Sequence, residues 1–200
     1  MRKLIVTQWM SLYGINDATT MAEWFNPYHS ESRAKSIQET IHNAEILLYG
    51  RNTYQMLYPY WSAMQNNEMG VADKLNKAKK YVVSATLTEA PWQNTSIINT
   101  AVIQKIIELK NEEGGNILVQ GSTTLVKSLM KAGLVDELKL LIQPHIMGAN
   151  GGRLFEGMNN ALELIHLQQL ENAVNFHNSI SINDHLQPVR IMHKATVATG

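Results

Sequence analysis

Apolar and polar positions along the first two thirds of the chain fall into two kinds of segment. Amphipathic helices are predicted where apolar residues recur every three or four positions, within residues 32–44, across residues 103–110 and after Gly121. Short apolar runs predict buried strands at residues 4–10, 46–49, 80–84, 95–98 and 116–120. Strands that alternate with helices indicate an α/β fold with a mostly parallel sheet.

The pattern changes after Gly133, where the last predicted helix ends. Residues 137–145, 162–170 and 174–182 have the composition of strands and are separated only by loops and turns. We therefore expect antiparallel strands that extend the same sheet. The chain has no internal repeat and no linker, so residues 1–188 are predicted to form a single domain. Residues 189–200 are predicted to be a loose C-terminal tail, with an additional edge strand as the alternative.

Composition excludes several classes of function. Seventeen basic residues balance seventeen acidic ones, so no global positive field would attract nucleic acid. The chain has no cysteine, and its seven histidines are scattered, so we expect no metal site. No segment approaches the ~20 apolar residues that a membrane span needs. These features predict a soluble, cytoplasmic protein that binds neither nucleic acid nor membrane.

Two strand-to-helix turns contain candidate ligand-binding residues. The first contains Gly50, Arg51, Asn52 and Thr53, and the second runs over residues 121–124 as Gly-Ser-Thr-Thr. A glycine lets the backbone approach a ligand closely, and a helix N-terminus offers unpaired N–H groups to an anion. Taken singly, each turn could be an ordinary connection with surface side chains. Two such turns on one sheet edge could face a single pyrophosphate, which is the interpretation we favour.

Other polar and aromatic residues could have either a ligand-binding or a structural role. Ser84 and Thr86 follow the third predicted strand, where hydroxyls could bind a ribose phosphate or could simply end the strand. Trp24, Tyr28 and His29 precede the first predicted helix. They could wall a flat substrate ring or anchor the core.

Six ordered motifs stand out along the chain. They are LYGRNTY at 48–54, KYVVSATLT at 80–88, GNILVQGSTTLV at 115–126, GLVDEL at 133–138, PHIMG at 144–148 and RLF at 153–155. Together these motifs resemble the dihydrofolate-reductase-like family, in the branch built on the C-terminal reductase domain of bacterial riboflavin biosynthesis. The resemblance covers roughly residues 1–183, and the segment EWFNPYH at 23–29 is similar to small stand-alone members.

The resemblance implies a three-layer fold with a central sheet of about eight strands, helices on both faces, and often a homodimer. It also implies NADPH-dependent hydride transfer to a small heterocyclic substrate, as in 5-amino-6-(5-phosphoribosylamino)uracil reductase. Arg51, with Ser84 and Thr86, would bind the adenosine 2′-phosphate of the cofactor. The pyrophosphate would lie between two sets of residues: Gly50, Asn52 and Thr53 on one side, and Gly121, Ser122, Thr123 and Thr124 on the other.

One departure from the family concerns proton delivery. Relatives commonly have an aspartate in the first loop, where this chain has Tyr13. A phenol donates a hydrogen bond but is a poor anion at neutral pH, since its ordinary pKa is ~10. Tyr13, Tyr28 and bound water are therefore all admissible proton donors, and Trp24 and His29 are the expected substrate contacts. The alternative function is a non-catalytic nucleotide-binding or assembly protein that keeps the cofactor site.

Overall fold

The computed structural model of the protein describes residues 1–148 and 152–180. These residues form one sheet of eight strands in the spatial order β4-β3-β2-β5-β1-β6-β8-β7. The strands are β1 (Leu4–Ser11), β2 (Ala44–Gly50), β3 (Lys79–Val83), β4 (Thr95–Ile98), β5 (Asn116–Gln120), β6 (Glu137–Gln143), β7 (Leu162–Leu170) and β8 (Ala173–Ile180).

The directions of the strands confirm the predicted α/β class. The six strands from β4 to β6 run parallel, and β8 pairs antiparallel with both β6 and β7. The predicted strands agree with the observed ones to within two residues at most ends. The predicted strand at 137–145 stops at Gln143, and the prediction that the last strand reaches residue 182 falls partly outside the described residues. So do the predicted tail at 189–200 and the domain bound at 188.

Six α-helices lie among the described residues, together with two short 3-10 turns. The helices are α1 (Met21–Trp24), α2 (Glu31–His42), α3 (Arg51–Trp61), α4 (Ala72–Lys77), α5 (Val102–Asn111) and α6 (Thr123–Lys131). The predicted first helix is confirmed as α2, where the Ser30 hydroxyl accepts a hydrogen bond from the Arg33 N–H at 3.2 Å. This bond satisfies one of the unpaired N–H groups at the start of the helix.

Side chains of successive β1 residues point to opposite faces of the sheet and divide the core into layers. Leu4 and Val6 pack in the cluster that contains Leu129 of α6 and Ile106 of α5. Ile5 packs in the opposite cluster, together with apolar residues of α2, α3 and α4. The sheet therefore has helices on both faces, which confirms the three-layer arrangement.

One element depends on a contact that periodicity does not reveal. Helix α4 ends beside Lys80 of β3, whose ammonium donates hydrogen bonds to the carbonyls of Leu75, Asn76 and Ala78 at 2.7 to 2.8 Å. Lys80 is fully buried, and this desolvation lowers its pKa to about 8. A helix of six residues has little stability of its own, so we attribute its position to this contact and to the burial of Leu75.

Within residues 1–148 and 152–180, no helix combines the length and the apolar character needed to cross a membrane.

Candidate functional site

The N-terminal ends of α3 and α6 are in direct contact at the carboxyl edge of the sheet. Gly50 ends β2 and precedes α3, and its N–H donates a hydrogen bond to the Ser122 hydroxyl at 2.7 Å. The Ser122 hydroxyl in turn lies 2.8 Å from the Thr53 hydroxyl. Because β2 and β5 are adjacent and parallel, their carboxyl ends bring both helix starts to one point.

The absence of a side chain at Gly50 allows this close contact. A Cβ atom at Gly50 would lie 3.0 Å from the Ser122 hydroxyl oxygen, closer than ordinary packing allows. On the α6 side, Gly121 and Ser122 both have positive φ, +61° and +62°. This left-handed conformation is unusual for serine and turns the chain sharply from β5 into α6. Two helix starts with unpaired N–H groups therefore face the same space, which is a strong site for a bridging diphosphate.

A cavity of about 790 Å³ opens beside these helix ends, within the size range of small-molecule sites. It holds together all the turn residues predicted to contact pyrophosphate, together with Arg51 and Trp24. The wall consists of Thr7, Gln8, Trp9, Asn16, Ala18, Met21, Trp24, Gly50, Arg51, Asn52, Thr53, Met56, Leu57, Val83, Val102, Ile103, Gln120, Gly121, Ser122, Thr123, Thr124, Leu125 and Ser128.

Arg51 lies at the β3 side of the cavity. Its guanidinium donates a hydrogen bond to the Thr86 hydroxyl at 2.7 Å, and its side chain is exposed. No ion pair involves Arg51 among the described residues, so its charge is available to an anion. Ser84 is buried, and its hydroxyl accepts hydrogen bonds from the N–H groups of Thr86 and Leu87 at 3.2 and 3.0 Å. Ser84 therefore shapes the turn that presents Thr86.

The other predicted side chains do not all converge. Trp24 is 2% exposed and lines the cavity, with its indole N–H donating to the Asp17 carbonyl at 2.8 Å. Tyr13 is 54% exposed and stacks under the Arg153 guanidinium, 4.1 Å from the ring centroid. The Tyr28 hydroxyl lies 3.2 Å from the Pro144 carbonyl, and His29 is exposed. Neither tyrosine nor His29 belongs to the cavity wall, so their assigned roles stay predictions.

The loop over one end of the cavity is held by Asp17. Its carboxylate accepts hydrogen bonds from the N–H and hydroxyl of Thr19 at 2.9 and 2.7 Å, and from the Thr20 hydroxyl at 3.0 Å. These bonds lower the pKa of Asp17 below its ordinary value. The Asp17 carbonyl also accepts the hydrogen bond from the Trp24 indole, which links this loop to the Trp24 wall.

Sequence reasoning missed the contribution of β1 and its following loop. Gln8 and Trp9 lie in the second half of β1, just past the point where its pairing with β5 ends at Thr7. Asn16 donates from its amide to the Thr123 hydroxyl at 2.7 Å. Gln8 is 4% exposed, and its Oε1 has no hydrogen-bond partner among the described residues; the same holds for Asn16 Oδ1. Gln8 had one sequence signal, since Thr7 and Gln8 are two consecutive polar residues inside a predicted strand that is otherwise apolar over residues 4–10.

Metal-ligating side chains are not gathered anywhere in the described parts of the chain. No group of three or more histidine, aspartate or glutamate residues there has the arrangement needed to hold an ion.

Residues 2–176 match the model of the RibD C-terminal domain. The chain belongs to the RibD C-terminal domain family. It is also similar to the uncharacterized protein YyaP of Bacillus subtilis, at 29% identity over 129 residues, which are 62% of this chain and 66% of YyaP. The resemblance inferred from the motifs is thereby confirmed.

Solved structures support the same fold at low sequence identity. A pyrimidine reductase-like protein from Corynebacterium diphtheriae aligns with a TM-score of 0.66 and 13% identity, covering 91% of this chain and 93% of that one. Dihydrofolate reductase from Enterococcus faecalis, complexed with NADP(H), aligns with a TM-score of 0.55 and 12% identity, over 89% and 96% of the two chains.

A third structure is a larger protein, the deaminase and 5-amino-6-(5-phosphoribosylamino)uracil reductase of Thermotoga maritima. It aligns with a TM-score of 0.63 and 12% identity over 90% of this chain, which spans 57% of the Thermotoga protein. The fold of our chain is dihydrofolate-reductase-like, and its family is a riboflavin-biosynthesis-type reductase family.

Proposed function

We propose that this protein is an NADPH-dependent reductase that transfers a hydride to a small heterocyclic substrate. The observation that carries the proposal is the contact between the two helix starts, with Arg51 beside it on the same cavity wall. This arrangement provides backbone N–H groups for a diphosphate and a separate guanidinium for a further phosphate. The bound nicotinamide supplies the hydride chemistry.

The residues present fit a dinucleotide with a 2′-phosphate. A Cβ at Gly50 would contact the Ser122 side chain and a Cβ at Gly121 the Thr53 side chain, so the glycines let the two helix starts lie side by side. The Thr53 hydroxyl accepts the Ser122 proton and keeps its own proton to donate to a phosphate oxygen. Arg51 and Thr86 are already bonded to one another, so both can bind one phosphate with little loss of side-chain freedom. We therefore expect NADPH to be preferred over NADH.

On this proposal, the reacting ring lies at the end of the cavity opposite Arg51, and the order of the strands supports that placement. Arg51 and Thr86 lie near the end of β3, and Gln8 and Trp9 belong to β1. The strands β2 and β5 lie between β3 and β1 in the sheet. Three strand spacings of ~4.8 Å make ~14 Å. This length suits a dinucleotide whose diphosphate lies between the ends of β2 and β5. Substrate would then lie against Trp9 and Trp24.

For the proton that completes the reduction, we favour bound water over Tyr13 and Tyr28. Both phenols lie outside the described wall of the cavity, whereas water can enter it. A general acid must come within hydrogen-bond reach of the atom that it protonates, directly or through one water.

Two measurements test the proposal in sequence. Fluorescence titration with NADPH and NADH should give clearly tighter binding of NADPH, and equally weak binding of both would defeat the cofactor assignment. NADPH oxidation should then be followed by absorbance with pyrimidine and pterin substrates. One of them should be 5-amino-6-(5-phosphoribosylamino)uracil, the compound in the name of the Thermotoga relative. Tight NADPH binding without oxidation of cofactor by any substrate would favour a non-catalytic nucleotide-binding protein.

We further propose that the protein forms a homodimer through β7. This strand lies at the edge of the sheet, and Leu162, Leu164 and Leu167 are 42%, 54% and 51% exposed. All three pair with β8 residues on the face that carries Phe176, and Phe176 packs against the core. An exposed apolar patch on an edge strand is a common self-association surface, and a two-fold axis would pair it with its own copy.

A further inference from the structure

A row of polar residues crosses the sheet from the cavity to its outer edge. Register partners on adjacent strands are, in order, Gln120 of β5, Thr7 of β1, Lys139 of β6, His177 of β8 and His166 of β7. Register partners project from the same face of a sheet, and neighbouring strands lie ~4.8 Å apart. Gln120 and Thr7 belong to the cavity wall, and His166 is exposed on the edge strand.

Helix α2 covers the middle of this row and leaves a crevice of about 10 Å³ beneath it, which has room for about one water molecule. Polar side chains surround the crevice, since its lining includes Ser36 and Thr40 of α2, Asn175 of β8 and Lys139. The Asn175 amide donates a hydrogen bond to the Ser36 hydroxyl at 3.0 Å. A buried water needs two to four polar partners, so a water fits next to Lys139 in both size and chemistry.

The crevice and the cavity share a wall. Thr7, Trp9 and Gln120 line both spaces. The Oε1 atom of Gln120 accepts a hydrogen bond from the buried Tyr49 hydroxyl at 2.9 Å, which leaves the Gln120 side chain only its N–H donors for further contacts. A hydroxyl can accept one proton while it donates another. Thr7 is therefore the residue of the three that can pass a proton through the wall.

Lys139 is the one ionisable residue among the described residues that line the crevice, and it forms no ion pair within that part of the chain. Glu137, two residues earlier on β6, accepts hydrogen bonds from Lys3 and His177, both at 2.7 Å. Burial lowers the pKa of Lys139, and the smaller opposing effects come from Glu137 and from Glu39 of α2. Lys139 therefore releases its proton more readily than an ordinary lysine.

We propose that Lys139 supplies the proton of the reduction, through a water in the crevice and the Thr7 hydroxyl. The ammonium gives a proton to the water, the water gives one to Thr7, and Thr7 gives its own to the substrate atom that does not receive the hydride. The neutral amine then regains a proton from solvent. This inference rests on the proposed function, because it takes the reacting ring to lie against Trp9.

Nucleotide binding tests the placement of Lys139 without turnover. The oxidised ring of NADP⁺ carries a positive charge that the ring of NADPH lacks, and a ring against Trp9 would lie about two strand spacings, or ~10 Å, from Lys139. Lys139→Met should therefore shift the ratio of the two affinities toward NADP⁺ by about threefold or more, whereas Lys139→Arg should keep the native ratio. An unchanged ratio in Lys139→Met would overturn the inference. Failure of both nucleotides to bind would refute the proposed function instead.

Turnover tests the proton itself, with the substrate found in the absorbance screen. Because the ammonium must carry the proton, kcat should fall as the pH rises through the pKa of Lys139, which burial holds below 10.5. Lys139→Met should lower kcat about 100-fold or more and remove this dependence on pH, with the affinity for NADPH unchanged. Lys131→Met, which removes an exposed lysine at the end of α6, should keep the native kcat and pH profile.

Two further variants separate proton transfer from charge and from structure. Lys139→Arg keeps the positive charge, but a guanidinium does not release its proton, so this variant should be about as slow as Lys139→Met. A native kcat in Lys139→Arg would show that charge alone is needed and would overturn the inference. Thr7→Val keeps the shape of the side chain without its hydroxyl and should lower kcat about tenfold or more. A native kcat in Thr7→Val would exclude the route through Thr7.

Discussion

Replacement of Arg51 by alanine tests the cofactor assignment most directly. Arg51 is exposed and forms no ion pair among the described residues, so its removal should leave the unfolding free energy almost unchanged. Its guanidinium is already positioned by the 2.7 Å hydrogen bond to Thr86. Any loss of NADPH affinity would therefore report the contact with phosphate.

The magnitude follows from the exposure of the side chain. A charge-assisted hydrogen bond contributes about 1.5–3 kcal/mol, whereas an exposed ion pair contributes only about 0–1 kcal/mol. Because Arg51 is exposed but pre-positioned, we expect about 1.5 kcal/mol, which corresponds to about tenfold weaker NADPH binding. Binding of NADH, which lacks the 2′-phosphate, should change little.

Fluorescence titration of both nucleotides provides the assay. Arg51→Lys should be intermediate, since an ammonium keeps the charge but loses the planar fork of donors. Lys131→Ala, at the exposed C-terminal end of α6, is the matched control for loss of one positive charge. Added salt should reduce the preference of the native protein for NADPH. If Arg51→Ala leaves the ratio of NADPH to NADH affinity unchanged, the assignment of the 2′-phosphate to Arg51 is wrong.

Three further predictions concern the helix contact, a buried cation and the edge strand. Gly50→Ala should weaken the binding of NADPH by about 1 kcal/mol or more, because the added Cβ would press on the Ser122 hydroxyl. An unchanged affinity for NADPH in titration would contradict this prediction. Burial lowers the pKa of Lys80 to about 8 from 10.5, so the unfolded chain binds more protons between these values and the unfolding free energy should rise with pH from about 8. Chemical denaturation at several pH values should show that Lys80→Met reduces this rise. Leu164→Glu with Leu167→Glu should convert the proposed dimer to monomer in sedimentation, whereas an unchanged mass would exclude β7 as the interface.

Much of the fold was predictable because its signals are local. A buried strand needs only a short apolar run, and an amphipathic helix needs only a stripe of apolar residues, so the order of the main elements can be deduced from neighbouring positions. The serines at 30 and 32 both offered a cap for α2, and the structure uses Ser30; such a signal is local, since a cap acts within one helical turn. Helices α1 and α4 were missed because segments of four and six residues carry too short a pattern.

The candidate site was predictable only where the backbone itself forms it. Two glycine-containing turns at the ends of parallel strands must share one edge of the sheet, so Gly50 and Gly121 could be assigned to a common ligand in advance. Side chains in loops have no such constraint. Tyr13 and Tyr28 were expected at the reacting end, yet one stacks on Arg153 and the other reaches the Pro144 carbonyl, because residues distant in sequence pack beside them.

The sequence by itself therefore determined the class of fold, the two glycine-containing turns and the presence of Arg51 after a strand, since each depends on a few consecutive residues. Only the tertiary structure decided that Ser122 bonds to both Gly50 and Thr53, that Asn16 bonds to Thr123, and that Gln8 joins the cavity wall. The Ser122 contacts span 72 and 69 residues of the chain and the Asn16–Thr123 contact spans 107. The order of strands in a sheet is set by packing of whole elements, which no local pattern encodes.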